Sequence, residues 1–109
     1  MNKYRNVKTE FEGIRFDSKK EAGRYAELKM LERSGEIKNL QRQVKFQICP
    51  KMYENKRARY YVADFVYMTK QGEWIIEDVK SFITRKNAVY SLKKALVQVQ
   101  YPYMTFKEY

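Results

Sequence analysis

The chain has 109 residues, 44% hydrophobic and 16% aromatic, which is material for one folded domain with a single core, spanning 1–109. Its net charge of +10 favours an anionic partner, nucleic acid first and a membrane surface second. The absence of histidine excludes Ser-His-Asp and Cys-His hydrolases and any imidazole general base, and the single cysteine, Cys49, excludes an intramolecular disulfide or a multi-cysteine zinc site. No run approaches ~20 consecutive apolar residues, and Met1–Lys8 lacks the apolar stretch of a signal peptide. The expectation is a cytoplasmic protein that makes no use of a membrane.

Thr9–Phe16 places Glu12-Gly13 between Phe11 and the Ile14/Phe16 pair, which predicts a short hairpin. Asp17-Ser18-Lys19-Lys20-Glu21 opens a helix that runs to about Ser34 and is stopped by Gly35. Tyr25, Leu28 and Leu31 form its inward stripe, which Glu21 extends toward the N-terminus. Leu40–Cys49 alternates Val44, Phe46 and Ile48 as a strand does, and Pro50 ends it. Arg59–Met68 and Glu73–Lys80 are two more strands, joined by the short Lys70-Gln71-Gly72 turn. Thr84–Val99 is helical, with an apolar stripe of Val89, Leu92, Leu96 and Val99, and Pro102 breaks it before a last strand at Tyr103–Lys107. The order is helix, three strands, helix, strand. It predicts an α/β (α+β) domain with an antiparallel meander, a crossover setting the last strand parallel to the third, and helices on both faces.

Acidic residues are depleted in strands, yet Asp64 lies in one strand of the central hairpin, and Asp78 and Lys80 lie in the other. Alternation puts Tyr60, Val62, Asp64 and Val66 on one face, and Trp74, Ile76, Asp78 and Lys80 on one face of the neighbouring strand. Asp64 and Asp78 are equidistant from Gln71, so a turn centred there sets them directly opposite, with Cβ atoms roughly 4.5–5.5 Å apart. Like charges so placed are destabilising unless a cation lies between them. Lys80 follows roughly 6.5–7 Å along the same face, while Glu77 falls on the opposite one. Two carboxylates and an ammonium on one face suit a metal-dependent hydrolase, the option that remains for phosphodiester chemistry without histidine.

These residues resemble the PD-(D/E)XK nuclease superfamily, Asp64 matching its first acid and Asp78-Val79-Lys80 its (D/E)-X-K tripeptide. Ala63 stands where that motif has proline. Glu21 is similar to the helix glutamate of several branches, among them Holliday junction resolvases. The segments Gly13-Ile14-Arg15-Phe16-Asp17-Ser18-Lys19-Lys20-Glu21 and Glu77-Asp78-Val79-Lys80 look more specifically like a family of small phage-encoded nucleases, a likeness covering nearly the whole chain. The resemblance implies a restriction-endonuclease-like αβββαβ core with a mixed four-stranded sheet, here with an extra N-terminal hairpin. It implies a Mg²⁺- or Mn²⁺-dependent endonuclease with Asp64, Asp78, the Val79 carbonyl and Glu21 as metal ligands. A water acidified by the ion would attack phosphorus, with Lys80 orienting it or neutralising charge on the phosphate. Its substrate would be duplex or branched DNA in the host cytoplasm, and its assembly a homodimer for paired cuts.

Other roles stay open for the same residues. Asp64, Asp78 and Lys80 also fit a cross-strand ion-pair cluster. Ser18-Lys19-Lys20-Glu21 fits a capping box, in which Glu21 serves its own helix. Gln43 lies near the expected site but on the face opposite Val44. Arg85, Lys86, Lys93 and Lys94 are the candidate phosphate contacts, and Lys51, Lys56, Arg57 and Arg59 form a second basic cluster. Among the ten tyrosines, Tyr60, Tyr61, Tyr67 and Tyr90 are candidates for stacking on bases. A non-catalytic nucleic-acid-binding module and a phage protein that binds a host protein are the alternatives to a nuclease.

Overall fold

The computed structural model describes residues 9–49, 57–81 and 86–109. Strands β1 (Thr9–Phe11) and β2 (Ile14–Phe16) form the expected hairpin. Both turn residues are left-handed, Glu12 at φ 52° and Gly13 at φ 78°, the geometry that matches the twist of a two-residue hairpin. Helix α1 (Lys19–Arg33) begins at Ser18, whose side chain accepts from the Glu21 N–H, and ends before Gly35 at φ 85°. Glu21, Ala22, Tyr25 and Leu28 point inward. Leu31, expected in the same stripe, is 36% exposed.

The main sheet has the order β3-β4-β5-β6, in which β3 (Ile37–Cys49), β4 (Arg59–Thr69) and β5 (Trp74–Asp78) form an antiparallel meander. Helix α2 (Ala88–Gln100) then crosses to β6 (Met104–Glu108), which pairs parallel to β5. One face carries a core of Phe16, Tyr25, Leu28, Phe65, Tyr67 and Ile75 beneath α1. The other carries Phe46, Ile48, Tyr61, Ala63, Val66 and Ile76 beneath Tyr90 and Val97 of α2. The predicted mixed four-stranded sheet, its flanking helices and its N-terminal hairpin are all present.

Two expectations for α2 fail. Within the described residues the helix starts at Ala88 behind an Asn87 cap whose side chain accepts from the Val89 and Tyr90 N–H groups, rather than at Thr84. Its inward face is Tyr90, Lys94, Leu96 and Val97, with Tyr101 packed at its C-cap, so of the expected stripe Leu96 packs inward while Val89, Leu92 and Val99 are exposed. Tyrosine and lysine bury their stems and keep their polar ends in contact with partners. Lys94 does so here, its Nζ lying 3.4 Å from Glu108 and over the Tyr90 ring.

Candidate active site

The β4–β5 ladder runs from Met68↔Trp74 to Phe65↔Glu77, a register centred on Gln71. One step further, Asp64 and Asp78 stand opposite each other and the backbone ladder gives way to side chains. The Asp64 N–H donates to Asp78 Oδ1 at 2.9 Å, and the Val79 N–H donates to Asp64 Oδ2 at 2.8 Å. The carboxylates therefore clasp the two strands where they part, each satisfying a buried amide that would otherwise be orphaned.

The opposition of the two acids follows the expected register, but the sharing of a face does not. Tyr61 and Ala63 pack on the α2 side, whereas Phe65 and Tyr67 pack on the α1 side, so β4 switches faces at Asp64. Strand β3 switches at Gln43, the residue facing Asp64, which sits at φ 51° between Arg42 on the α1 side and Val44 on the α2 side. Tyr60, Val62 and Asp64 thus share a face, and Val66 lies on the other one. Strand β5 keeps its alternation, with Trp74 and Ile76 on the α2 side and Ile75 and Val79 on the α1 side. Asp78 therefore continues the α2 side and Asp64 the α1 side, and they meet through the gap between the parting strands.

Helix α1 brings its first turn to this gap. Glu21 is buried beside Gln43, whose Nε2 donates to Glu21 Oε2 at 3.3 Å and to Asp64 Oδ1 at 3.4 Å, and Arg42 Nη2 stands 3.9 Å from Oε2. The Glu21 N–H donates to the Ser18 cap, while its carboxylate turns to Gln43 and Arg42 rather than back to the Ser18 N–H as a capping box would have it. Burial, followed by the nearby Asp64 charge, raises the Glu21 pKa to about 7, with Arg42 opposing. Burial likewise raises Asp64 and Asp78, opposed in both cases chiefly by the Lys80 charge. Lys80 Nζ is 3.8 Å from Asp64 Oδ2 and 5.5 Å from the Tyr90 ring centroid. A cleft of ≈ 250 Å³ opens here, its lining including Lys20, Glu21, Asp64, Val79 and Lys80.

Asp78 lies behind that cleft, fully buried, and its Oδ2 has no hydrogen-bond partner among the described residues. An unpartnered buried carboxylate oxygen costs folding free energy unless something else neutralises it. Glu21, Asp64 and Asp78 offer hard carboxylate oxygens, the donor type that suits Mg²⁺ or Mn²⁺, and Asp78 Oδ2 is one such donor left without a partner among the described residues. In this arrangement, no three acidic side chains among the described residues converge tightly enough to form a ready-made metal cage.

Glu77 points away from the site, as alternation required. It is buried under α1, where Arg24 donates to both of its carboxylate oxygens and Tyr67 donates at 2.6 Å. The expected phosphate contacts are dispersed. Lys94 is engaged with Glu108, Lys93 is half-buried, Lys86 is exposed, and Arg85 lies outside the described residues, as do Lys51 and Lys56. Lys20 and Arg42 were not expected at the site. The spacing of Lys20 beside Glu21 in the first helical turn was an available signal for the former.

A family model described as "Protein of unknown function (DUF1064)" matches residues 1–108. No curated protein and no solved structure matches the chain.

Proposed function

This chain belongs to the DUF1064 family, and for it we propose a metal-dependent endodeoxyribonuclease activity of the PD-(D/E)XK type. The observation that carries this reading is a trio of buried acids, Glu21 and Asp64 lining a cleft and Asp78 behind it with an orphaned oxygen, which has only Arg42 and Lys80 as ion-pair partners among the described residues. A purely structural cluster of this kind would be expected to match its acids with cations. Here Glu21 and Asp64 repel each other across a neutral glutamine.

Glu21, Asp64 and Asp78 would hold one or more Mg²⁺ or Mn²⁺ ions. When bound, the metal supplies Lewis-acid activation at neutral pH. The residues of the chain do the rest. Lys80 places a positive charge at the cleft mouth, where negative charge grows on the non-bridging phosphate oxygens. The Val79 N–H locks Asp64 Oδ2, and Gln43 tethers Oδ1, which fixes that carboxylate against rotation. Lys20, whose Nζ donates to the Lys80 carbonyl, joins the first turn of α1 to the end of β5 and adds charge for an incoming phosphate. In the reaction, water adds to phosphorus and the bond from phosphorus to the leaving oxygen breaks. The products are a phosphate monoester and a hydroxyl, with the proton released by water passing to the leaving oxygen through solvent. Carboxylate ligands must be ionised, so Glu21 gives up its proton on loading and affinity rises with pH through about 7.

By likeness to resolvases, the substrate would be DNA with a branched or duplex form, cut in pairs by a homodimer in the host cytoplasm. The test is cleavage of duplex, single-stranded, flapped and four-way-junction DNA with Mg²⁺ or Mn²⁺. Nicking that is abolished by chelator and falls by about 10²–10³-fold in Lys80→Ala and more in Asp78→Asn is expected. Nicking that survives Asp78→Asn overturns the site assignment. Salt-sensitive binding without cleavage would favour a binding module.

A further inference from the structure

Beyond the cleft, β3 and β4 continue as a two-stranded arm that the described residues cover on one face only. Phe46, Ile48, Tyr61 and Ala63 pack beneath α2, and Gln100 Nε2 and Tyr101 Oη tie that helix to the Ile48 and Gln47 carbonyls. On the other face, Lys45 pairs with Val62 and Gln47 with Tyr60. All four side chains are exposed, Tyr60 at 44% and Val62 at 40%, and no described element covers them. Lys45 Nζ stands 5.8 Å from the Tyr60 ring centroid.

This face leads into the site because of the double switch at Gln43 and Asp64. Tyr60, Val62 and Asp64 project on the same side of β4, and Gln43, Lys45 and Gln47 on the same side of β3. From Tyr60 to Asp64 the strand runs about 13 Å. On this side of β3 and β4 the cations are Arg42 and Lys45, and the one acid is Asp64 itself. An exposed aromatic ring beside a cation, on an acid-free track ending at a phosphate-cleaving cleft, has the chemistry of a surface that stacks a base and follows a phosphate backbone. A paired duplex keeps its bases stacked within the helix and has no face to offer Tyr60.

We propose that this open face of the β3–β4 arm binds an unpaired DNA strand, with Tyr60 stacking on a base and Lys45 meeting the backbone, and that it feeds that strand to the cleft. The proposal rests on the nuclease reading and narrows its substrate to DNA with a single-stranded segment next to the cut.

The test measures binding by fluorescence anisotropy in EDTA, where no cleavage intervenes, using a single-stranded oligonucleotide, a flapped duplex and a blunt duplex. Tyr60→Ala should weaken binding to the single strand and the flap by about tenfold or more and leave the blunt duplex within about twofold, while Tyr60→Phe retains wild-type binding. Lys45→Ala should reduce the slope of log affinity against log salt by about one. Equal affinities of Tyr60→Ala and wild type for the single strand overturn the proposal, as does an equal loss on single strand and duplex. So does a wild-type protein that binds no unpaired strand. Cleavage by wild type with no Tyr60 effect on binding removes the platform and leaves the nuclease. Tyr60-dependent strand binding with no cleavage in any divalent metal leaves the platform and removes the nuclease.

Discussion

Two groups of buried acids lie within a few residues of each other in this fold, and they are treated differently. Glu77 and Asp78 are sequence neighbours, both almost completely buried. Glu77 is saturated, with Arg24 donating to both oxygens and Tyr67 adding a third bond. Arg24 also lies over the Tyr109 ring at 4.3 Å, which extends the network to the end of the sheet. Asp78 receives one amide on Oδ1 and nothing described on Oδ2, while Glu21 and Asp64 crowd each other nearby. Saturation marks an ion pair that holds the fold. Its absence is what the proposed metal site would account for.

The largest expected effect tests the saturated half. Arg24→Ala leaves Glu77 as a buried charge with only Tyr67 for company and should cost roughly 3–5 kcal/mol in urea unfolding. Replacing Arg24 and Glu77 together by Met and Leu should recover most of that loss, because the network's energetic value lies in its completeness. If Arg24→Ala costs no more than an ordinary surface change, the contrast between the two groups collapses.

The unsaturated half predicts the opposite sign. Glu21 titrates near 4.5 when unfolded and at about 7 when folded, so between these values the folded protein holds the extra proton. Stability in the absence of divalent ions should therefore fall as pH rises from about 4.5 to 7, by on the order of 2 kcal/mol, and level off above. Glu21→Gln removes that loss, so the variant should unfold later than wild type at pH 8 and match it near pH 4. Millimolar Mg²⁺ should stabilise wild type at pH 8 more than the variant. A wild type as stable as Glu21→Gln at pH 8 without metal would mean that the acids are already neutralised within the chain.

Much of this was legible in the sequence, for identifiable reasons. The order of elements follows from period-2 and helical patterns punctuated by Gly35, Gly72 and Pro102. The register of β4 on β5 follows from the turn, which set Asp64 opposite Asp78 and turned Glu77 away. The face switch was hidden. A left-handed glutamine in the middle of a 13-residue strand has no sequence signature, and strict alternation carried Asp64 onto the side of Val66 and Asp78. Gln43 does lie opposite Val44, but the switch puts the site on its side, so the residue tethering two of the three acids was undervalued. In α2 the inward face was masked because Tyr90, Lys94 and Tyr101 do not read as apolar.

Gln43 also offers the finest test of the contrast. Its left-handed backbone costs about 1 kcal/mol, a strain that persists where the surrounding structure demands it, often at functional sites. Its two amide bonds, at 3.3 and 3.4 Å, are long and together contribute about 1 kcal/mol. Gln43→Ala loses the bonds and keeps the strain, so it should lower metal-free stability by about 1 kcal/mol. Gln43→Gly loses the same bonds but relieves the strain, and should return to near wild type. With Mg²⁺ present the gap between wild type and Gln43→Ala should narrow, since a cation held by Glu21 and Asp64 takes over the work of the amide between them. A gap unchanged by Mg²⁺ would place Gln43 with Arg24, as part of the scaffold.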